Sequence, residues 1–285
     1  MYKTIVVGFD KSPSSRAAVI EAANWIKRHG GALYLVHAVF FDTEEFGIAP
    51  EQLDMRLKIG ETICIESKEM VTAEFGIDAH YVLCEGEPPE VLAEVSEEKK
   101  ADLIVLGTYG RRGFNRFLMG SVTAQTIMKA SSDVLVVKKP CEECTGTYTS
   151  ILVPFDGSEF SRKALERACQ LSKIDGAEIT VLYVIPRYEE MIDFFKTDSI
   201  KNSLQEEARK IVSAAVSYAE IQKVIPKTEI AEGHAADRIV ETAQKLNIDL
   251  IAMGSHGYHG MSKALMGSTT ERVIMTAGCP ILIVR

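Results

Sequence analysis

The chain carries one sequence pattern twice, and this internal repeat limits its fold more than any other feature. Residues 4–10 read Thr-Ile-Val-Val-Gly-Phe-Asp and residues 150–156 read Ser-Ile-Leu-Val-Pro-Phe-Asp, an offset of 146 positions. The string Leu-Met-Gly-Ser at 118–121 recurs at 265–268 with an offset of 147. Since solenoid repeats have periods of roughly 20–50 residues, a period this long indicates that a whole domain has been duplicated.

The repeat divides the 285 residues into two domains of ordinary size. We predict a first domain over residues 1–140, a second over 149–285 and a linker over 141–148. The linker is short and polar and follows Pro140. Such a connection is typical of domains that touch each other.

Cys141 and Cys144 place a Cys-x-x-Cys motif in this linker. The spacing suits a metal or redox site, but zinc takes four ligands and the chain has no second Cys-x-x-Cys. Two chains could together supply four thiolates, although an inert linker is the favoured interpretation. We expect the other four cysteines to pack as small apolar groups.

Each half alternates apolar strands with helical segments. Strands are predicted near 4–9, 32–40, 79–84, 103–106 and 134–137 in the first half, and near 151–155, 179–185, 227–231, 250–253 and 281–284 in the second. Continuous apolar runs are typical of strands that are buried on both faces. The sequence therefore predicts an α/β fold: two Rossmann-like domains, each with a doubly wound, five-stranded parallel sheet.

Charge and hydropathy exclude several kinds of function. The formal net charge of −8, without a basic tract, argues against a nucleic-acid partner. No apolar run approaches the ~18 residues of a membrane span, so no membrane partner is expected. The first residues enter a strand without the pattern of a signal peptide. We therefore expect a cytoplasmic protein with reduced cysteines.

A glycine-rich loop follows the fourth strand of each half with the spacing Gly-x2-Gly-x9-Gly-Ser. The motif residues are Gly107, Gly110, Gly120 and Ser121 in the first half and Gly254, Gly257, Gly267 and Ser268 in the second. Glycine lets the backbone reach positive φ and approach a ligand closely. The last Gly-Ser precedes a predicted helix, whose N-terminal N–H groups and dipole attract phosphate.

Asp10 and Asp156 end the first strand of each half, about 97 residues before each loop. In parallel sheets, ligands bind at the carboxyl ends of the strands, and an acidic residue there can accept hydrogen bonds from ribose hydroxyls. The same pairing of aspartate and glycine loop occurs twice, which favours a functional interpretation over a structural turn. The sequence thus predicts a nucleotide site in each half.

The two loops differ in their side chains. The first carries Arg111, Arg112 and Arg116, whereas the second carries His256, His259 and Lys263. We therefore expect unequal nucleotide affinities. Tyr109 stands where the second loop has His256, which argues against a reaction shared by both loops, and His37 is predicted to be a packed core residue. A Walker A motif is absent, so fast phosphoryl transfer is not expected.

These residues resemble the universal stress protein family in its tandem form, over essentially the whole chain. The spacing of the loops is the mark of the ATP-binding branch. The resemblance implies an adenine nucleotide alpha hydrolase-like fold and contacts to adenosine from Asp10 and Asp156. It implies contacts to the base near Ala38 and Val184. The phosphate contacts that it implies come from Gly107, Gly110, Gly120, Ser121, Gly254, Gly257, Gly267 and Ser268.

The resemblance also implies an intrachain pseudo-dimer that pairs strand 134–137 with strand 281–284, and a further homodimer is left open. The expected function is a stress-response sensor whose binding of ATP, ADP or AMP changes its affinity for an unknown protein partner. Mg²⁺ would accompany the triphosphate. Two alternatives remain, a slow Mg²⁺-dependent ATPase and a nucleotide-free scaffold. No catalytic residue and no metal ligand is assigned.

Overall fold

A computed structural model describes residues 1–40, 50–108, 119–138, 140–186, 198–256 and 266–285, with the backbone alone for 50–52, 141 and 198–200. The chain divides into two compact units, Met1–Thr147 and Tyr148–Arg285. We call them unit 1 and unit 2. None of the helices in the described ranges combines the length and the hydropathy needed to cross a bilayer.

Unit 1 is a parallel α/β sheet whose strands are covered by helices. Its elements are β1 (Thr4–Gly8), α1 (Pro13–His29), β2 (Ala32–Val39), α2 (Pro50–Phe75), β3 (His80–Glu85), α3 (Pro88–Glu98), β4 (Leu103–Gly107), α4 (Ser121–Lys129) and β5 (Asp133–Val137). The strands lie in the order β3-β2-β1-β4-β5, and each pairing is parallel. The strand order reverses direction between β1 and β4, which is therefore the switch point of the sheet.

Unit 2 repeats this architecture. Its elements are β6 (Ser150–Pro154), α5 (Glu159–Asp175), β7 (Glu178–Pro186), α6 (Asp198–Ile221), β8 (Lys227–Gly233), α7 (Ala235–Lys245), β9 (Leu250–Gly254), α8 (Ser268–Thr276) and β10 (Ile281–Val284). The order β8-β7-β6-β9-β10 is again parallel throughout. The predicted pair of five-stranded, doubly wound parallel sheets is confirmed.

Strand burial explains why the sheet forms at these segments. Ile5, Val6 and Val7 of β1 are all fully buried, so both faces of the strand are covered, as its continuous apolar run predicts. Helix α1 begins at the N-cap Ser12, whose side chain accepts a hydrogen bond from the Ser15 backbone N–H. The equivalent cap in unit 2 is Ser158 at the start of α5.

The repeated Asp-Leu-Ile motif before β4 and β9 has a structural role. The Asp102 carboxylate accepts hydrogen bonds from the backbone N–H groups of Lys3 and Thr4 at distances of 2.7 and 2.9 Å. Asp249 accepts the corresponding bonds from the backbone N–H groups of Thr149 and Ser150 at the start of unit 2, at 2.7 and 3.0 Å. Each aspartate thus holds the amino end of the first strand of its unit. The glycine loops begin at the other side of the sheet, where the strands have their carboxyl ends.

The segment predicted as a linker packs against α1. A 3-10 turn covers Cys141–Glu143, and the Cys144 carbonyl accepts a hydrogen bond from Asn24 Nδ2 at 2.7 Å. Gly146 has φ 66° and lies so close to the α1 backbone that a Cβ atom would be 2.4 Å from the Trp25 nitrogen. Residues 141–147 therefore belong to unit 1.

Metal binding has no support in the described part of the chain. It contains no cluster of three or more His, Cys, Asp or Glu side chains that could hold an ion. The Cys144 side chain is buried, and its Sγ lies 3.4 Å from the Pro140 carbonyl oxygen. The Cys141 side chain falls outside the described residues, so a zinc site shared between two chains stays untested.

Candidate functional site

A cleft opens at the switch point of unit 1, where β1 and β4 end. It encloses a cavity of about 120 Å³. The walls come from the carboxyl ends of β1, β2 and β4 and from the first turns of α1, α3 and α4. The lining residues are Gly8, Phe9, Asp10, Ser12, Ser14, Ser15, Val36, His37, Ala38, Pro88, Leu92, Leu106, Gly107, Val122 and Thr123. We call this the first cleft.

Three of the residues predicted to contact the nucleotide line this cleft: Asp10, Ala38 and Gly107. Gly120 and Ser121 are not in its wall. They lie immediately before the lining residues of α4, with Gly120 as the N-cap and Ser121 as the first helical residue. Gly110 falls outside the described residues, as do the three arginines of the loop. The structure thus brings the aspartate, the end of β2 and the start of the loop together.

The two predicted aspartates are held by the same local turn. Asp10 Oδ1 accepts a hydrogen bond from the backbone N–H of Ser12 at 2.9 Å. Asp156 Oδ1 accepts the equivalent bond from Ser158 at 3.0 Å. Asparagine and aspartate commonly form this turn, which fixes the carboxylate just before the helix begins. Each unit therefore presents one carboxylate at the end of its first strand.

Hydroxyl groups beside Asp10 were not among the predicted site residues. Ser12, Ser14 and Ser15 all line the first cleft from the start of α1, and Thr123 lines it from α4. The Ser12 and Ser14 hydroxyl oxygens are 3.5 Å apart. Three serines within four positions after a strand-ending aspartate are a sequence signal that could have identified them. The helix after such a strand begins at the carboxyl ends of the strands, so polar groups in its first turn can face a ligand site there.

His37 lines the first cleft rather than packing in the core, so the sequence prediction for it was wrong. The side chain is only partly buried, and its Nδ1 lies 2.7 Å from the Phe9 carbonyl oxygen. Because a carbonyl only accepts, Nδ1 carries the hydrogen of this bond. The error arose because β2 is longer than its neighbour β1, which the apolar pattern does not reveal.

The same difference in strand length exposes the backbone at Ala38. The pairing of β1 with β2 ends at Gly8 opposite Val36, followed by a hydrogen bond from the Phe9 N–H to the Val36 carbonyl. Strand β2 continues to Val39, with β3 on its other side. The edge of Ala38 that faces the first cleft thus lies past the end of β1. In unit 2, Val184 occupies the equivalent place, since β7 also outlasts β6.

The base of each glycine loop is closed by two hydrogen bonds. In unit 1 the Gly120 N–H donates to the Thr108 carbonyl at 2.9 Å and Thr123 Oγ1 donates to the Gly107 carbonyl at 2.9 Å. In unit 2, the matching bonds run from Gly267 to the Ser255 carbonyl (3.2 Å) and from Thr270 to the Gly254 carbonyl (3.2 Å). The residues between, 109–118 and 257–265, lie outside the described part.

Gly107 and Gly254, which end the fourth strand of each unit, serve close packing and not positive φ. Gly107 and Gly254 are absent from the positions with positive φ, as are the N-cap glycines of α4 and α8. Instead, a Cβ atom on Gly107 would lie 2.5 Å from the Ser14 carbonyl carbon, and one on Gly254 would lie 2.5 Å from Phe160 Cβ. The expectation of positive φ was therefore wrong for Gly107, and the close approach is to a neighbouring helix. Close approach of the loop backbone to a ligand stays a prediction.

We use the name second cleft for the place in unit 2 that is equivalent to the first cleft, at the carboxyl ends of β6, β7 and β9, where the side chains differ. Pro154 replaces Gly8, Phe160 replaces Ser14 and Tyr183 replaces His37. The Phe160 ring packs against His256, with 5.4 Å between the centroids and 44° between the planes. His256 is buried, and its Nδ1 lies 3.0 Å from Ser255 Oγ.

None of the cysteines with a described side chain lines the first cleft. Burial raises the pKa of the Cys64 thiol to about 11 and that of Cys169 to about 11. Both thiols are therefore protonated near neutral pH and poor nucleophiles. Cys279 is buried, and Cys84 is only partly exposed. The packing role expected for Cys64 and Cys169 agrees with this environment.

Comparison with known proteins assigns the chain to a family. The model of the universal stress protein family matches residues 1–138 and again 147–285. Universal stress protein MJ0531 of Methanocaldococcus jannaschii is 36% identical over 140 residues, which cover 48% of this chain and 82% of that protein. Universal stress protein Rv2005c of Mycobacterium tuberculosis is 27% identical over 300 residues, which cover 99% of this chain and 96% of that protein.

Solved structures support the same fold. A universal stress protein from Archaeoglobus fulgidus superposes with a TM-score of 0.75 at 20% identity, covering 100% of this chain and 99% of its own. At that identity the likeness concerns the fold alone. The family model, by contrast, accounts for both units separately, one match to each. This chain therefore belongs to the universal stress protein family and contains two family domains in tandem.

Proposed function

We propose that this chain binds ATP or a related adenine nucleotide in one or both of its clefts and acts as a nucleotide-dependent regulator of a stress response. The observation that carries the proposal is the position of Asp10, which is fixed at the end of β1 and shares one cleft with Gly107 at the base of the glycine loop. A strand-end acid beside a phosphate loop at a switch point is the usual arrangement of nucleotide sites in parallel sheets.

The walls of the first cleft suit an adenosine group. Apolar side chains from β2, α3 and β4 line one side, namely Val36, Leu92 and Leu106. Ligand pockets typically combine such walls with a few polar groups that fix the orientation of the ligand. Here the backbone edge at Ala38 would meet the base, and the Asp10 carboxylate would accept hydrogen bonds from the ribose hydroxyls.

The phosphates would be held by backbone groups more than by charge. The described residues that line the first cleft include no lysine or arginine, and the chain as a whole is acidic. Helix α4 begins at Gly120, so its first N–H groups and its dipole face the end of β4. Mg²⁺ bound with a triphosphate would be held mainly by the phosphates and water, since this ion readily keeps several waters.

A regulatory role fits this lining better than fast catalysis. Phosphoryl transfer relies on cations that neutralise the charge developing on the phosphate. Within the described wall of the first cleft, the acidic residue is Asp10, and the wall holds no lysine or arginine that could play this part. We therefore propose slow or no turnover, with the occupied state altering the affinity for a protein partner.

Calorimetric titration of the whole chain with ATP and Mg²⁺ tests the proposal. We expect saturable binding, and we expect Asp10→Asn to weaken the binding at unit 1 by about a hundredfold, because hydrogen bonds from the ribose hydroxyls to a charged acceptor are lost. Asp78→Asn is the matched control, since Asp78 is fully exposed and paired with Lys68 away from the cleft. Absence of binding at millimolar ATP would refute the proposal.

A further inference from the structure

Ser14 and Phe160 occupy equivalent positions in the two units. Each lies four residues after the strand-ending aspartate, in the first turn of the following helix. Each is also the residue closest to the glycine that ends the fourth strand: a Cβ atom would approach Ser14 atoms to 2.5 Å at Gly107, and Phe160 atoms to 2.5 Å at Gly254. The two side chains therefore leave the helix at the same point beside the loop.

The two side chains do different things from that point. The Ser14 hydroxyl belongs to the wall of the first cleft and lies 3.5 Å from the Ser12 hydroxyl. The Phe160 ring instead extends over the start of the second glycine loop and packs on His256. Lys163 places its Nζ 5.8 Å from the centroid of the same ring. A small polar side chain in unit 1 is thus replaced in unit 2 by an aromatic ring that contacts both His256 and Lys163.

The contact between Phe160 and His256 in unit 2 is with a buried imidazole. His256 is only 6% exposed, and its Nε2 is buried without a hydrogen-bond partner among the described residues. A buried polar atom without a partner is destabilising, and the Phe160 ring packs against the same imidazole. The carbonyl of the neighbouring Ser255 accepts a hydrogen bond from the Gly267 N–H, so Phe160 packs beside the base of the second glycine loop.

We propose that Phe160 determines the difference in nucleotide affinity between the units by making the second cleft the weaker site. This rests on the proposed nucleotide binding. A nucleotide that enters the second cleft must displace the Phe160 ring from His256, whereas the first cleft meets it with the Ser14 hydroxyl. The expected difference is about tenfold, which is the scale of losing one aromatic pair.

The test measures each cleft alone in the whole chain by calorimetric titration with ATP and Mg²⁺. The Asp10→Asn background reports the second cleft and the Asp156→Asn background reports the first. In the former, Phe160→Ser should tighten binding by about tenfold, and Phe160→Tyr, which keeps the ring, should not. In the latter, Ser14→Phe should weaken binding by a similar factor.

Ile174→Ser is the matched control, because Ile174 is an apolar residue of the same helix, 44% exposed and at the end remote from the second cleft. Thermal melts check that each variant is folded, and Phe160→Ala replaces Phe160→Ser should the latter unfold. Equal affinities in the two backgrounds, or an unchanged second cleft in folded Phe160→Ser and Phe160→Ala, would overturn the proposal while leaving nucleotide binding intact. Absence of binding in every version would overturn the proposed function itself.

Discussion

The two clefts of this chain share their backbone but not their side chains. Both have an aspartate fixed by the N-cap serine, a strand-ending glycine pressed against a helix, and a loop closed by two hydrogen bonds. The side chains over that frame differ, with Ser14 and His37 in one unit and Phe160 and Tyr183 in the other. The two units therefore share the residues that fix the backbone around the loop, and they differ in the side chains that a ligand would contact.

The largest effect should come from the glycines that both units share. We expect Gly107→Ala to lower the free energy of unfolding by about 2–3 kcal/mol, because the added Cβ would be forced against the α1 backbone. Gly254→Ala should act similarly in unit 2, where the clash is with Phe160. Urea denaturation measures both, and Gly278→Ala is the control since a Cβ there meets nothing within 4 Å. A Gly107→Ala protein as stable as that control would contradict the shared packing role.

A smaller effect is expected at the N-cap serines, where the change in stability and the change in nucleotide affinity should differ between the units. Ser12→Ala and Ser158→Ala each remove the side chain that caps a helix, which typically costs about 1 kcal/mol. The losses of stability should be nearly equal. Nucleotide affinity should fall more for Ser12→Ala, because Ser12 also lines the open first cleft. Calorimetry and thermal melts on the same samples check this, and equal losses of affinity would argue that the clefts are equivalent.

The smallest effect concerns thiol chemistry, which should not distinguish the units. Because burial raises the pKa values of Cys64 and Cys169 to about 11, both thiolates stay scarce at pH 7–8, and alkylation should accelerate only as the pH approaches that value. Cys84 is less buried and should react sooner. Mass spectrometry after timed treatment with iodoacetamide measures the order. Rapid labelling of Cys169 at neutral pH would show that unit 2 opens more readily than its packing indicates.

Much of the fold could be predicted because the physical signals are local. Continuous apolar runs mark buried strands, and a serine before Pro13 marks the start of α1. The repeat then supports each assignment twice. Even the switch point follows from the alternation of strands and helices, so the place of the first cleft was predictable from sequence.

The lining of the clefts was less predictable because it depends on where neighbouring strands stop. His37 faces the first cleft because β1 ends before β2 does, and strands buried on both faces show no alternation that would reveal it. The role of the strand-ending glycines was also misjudged. Close packing against a helix and a positive φ both require glycine, so the residue type does not distinguish the two. The exchange of Ser14 for Phe160 was visible in the repeat, but the sequence does not reveal that the Phe160 ring packs against His256 at the start of the second loop.

Native mass spectrometry of the intact chain, titrated with ATP and Mg²⁺, tests the central claim most directly. Because the two clefts share a backbone arrangement but differ in their side chains, they should bind nucleotide one after the other. A singly bound species should dominate before a doubly bound species appears. Asp10→Asn should remove the early step and leave the later one. A chain that binds two nucleotides with equal affinity, or none, would contradict the account.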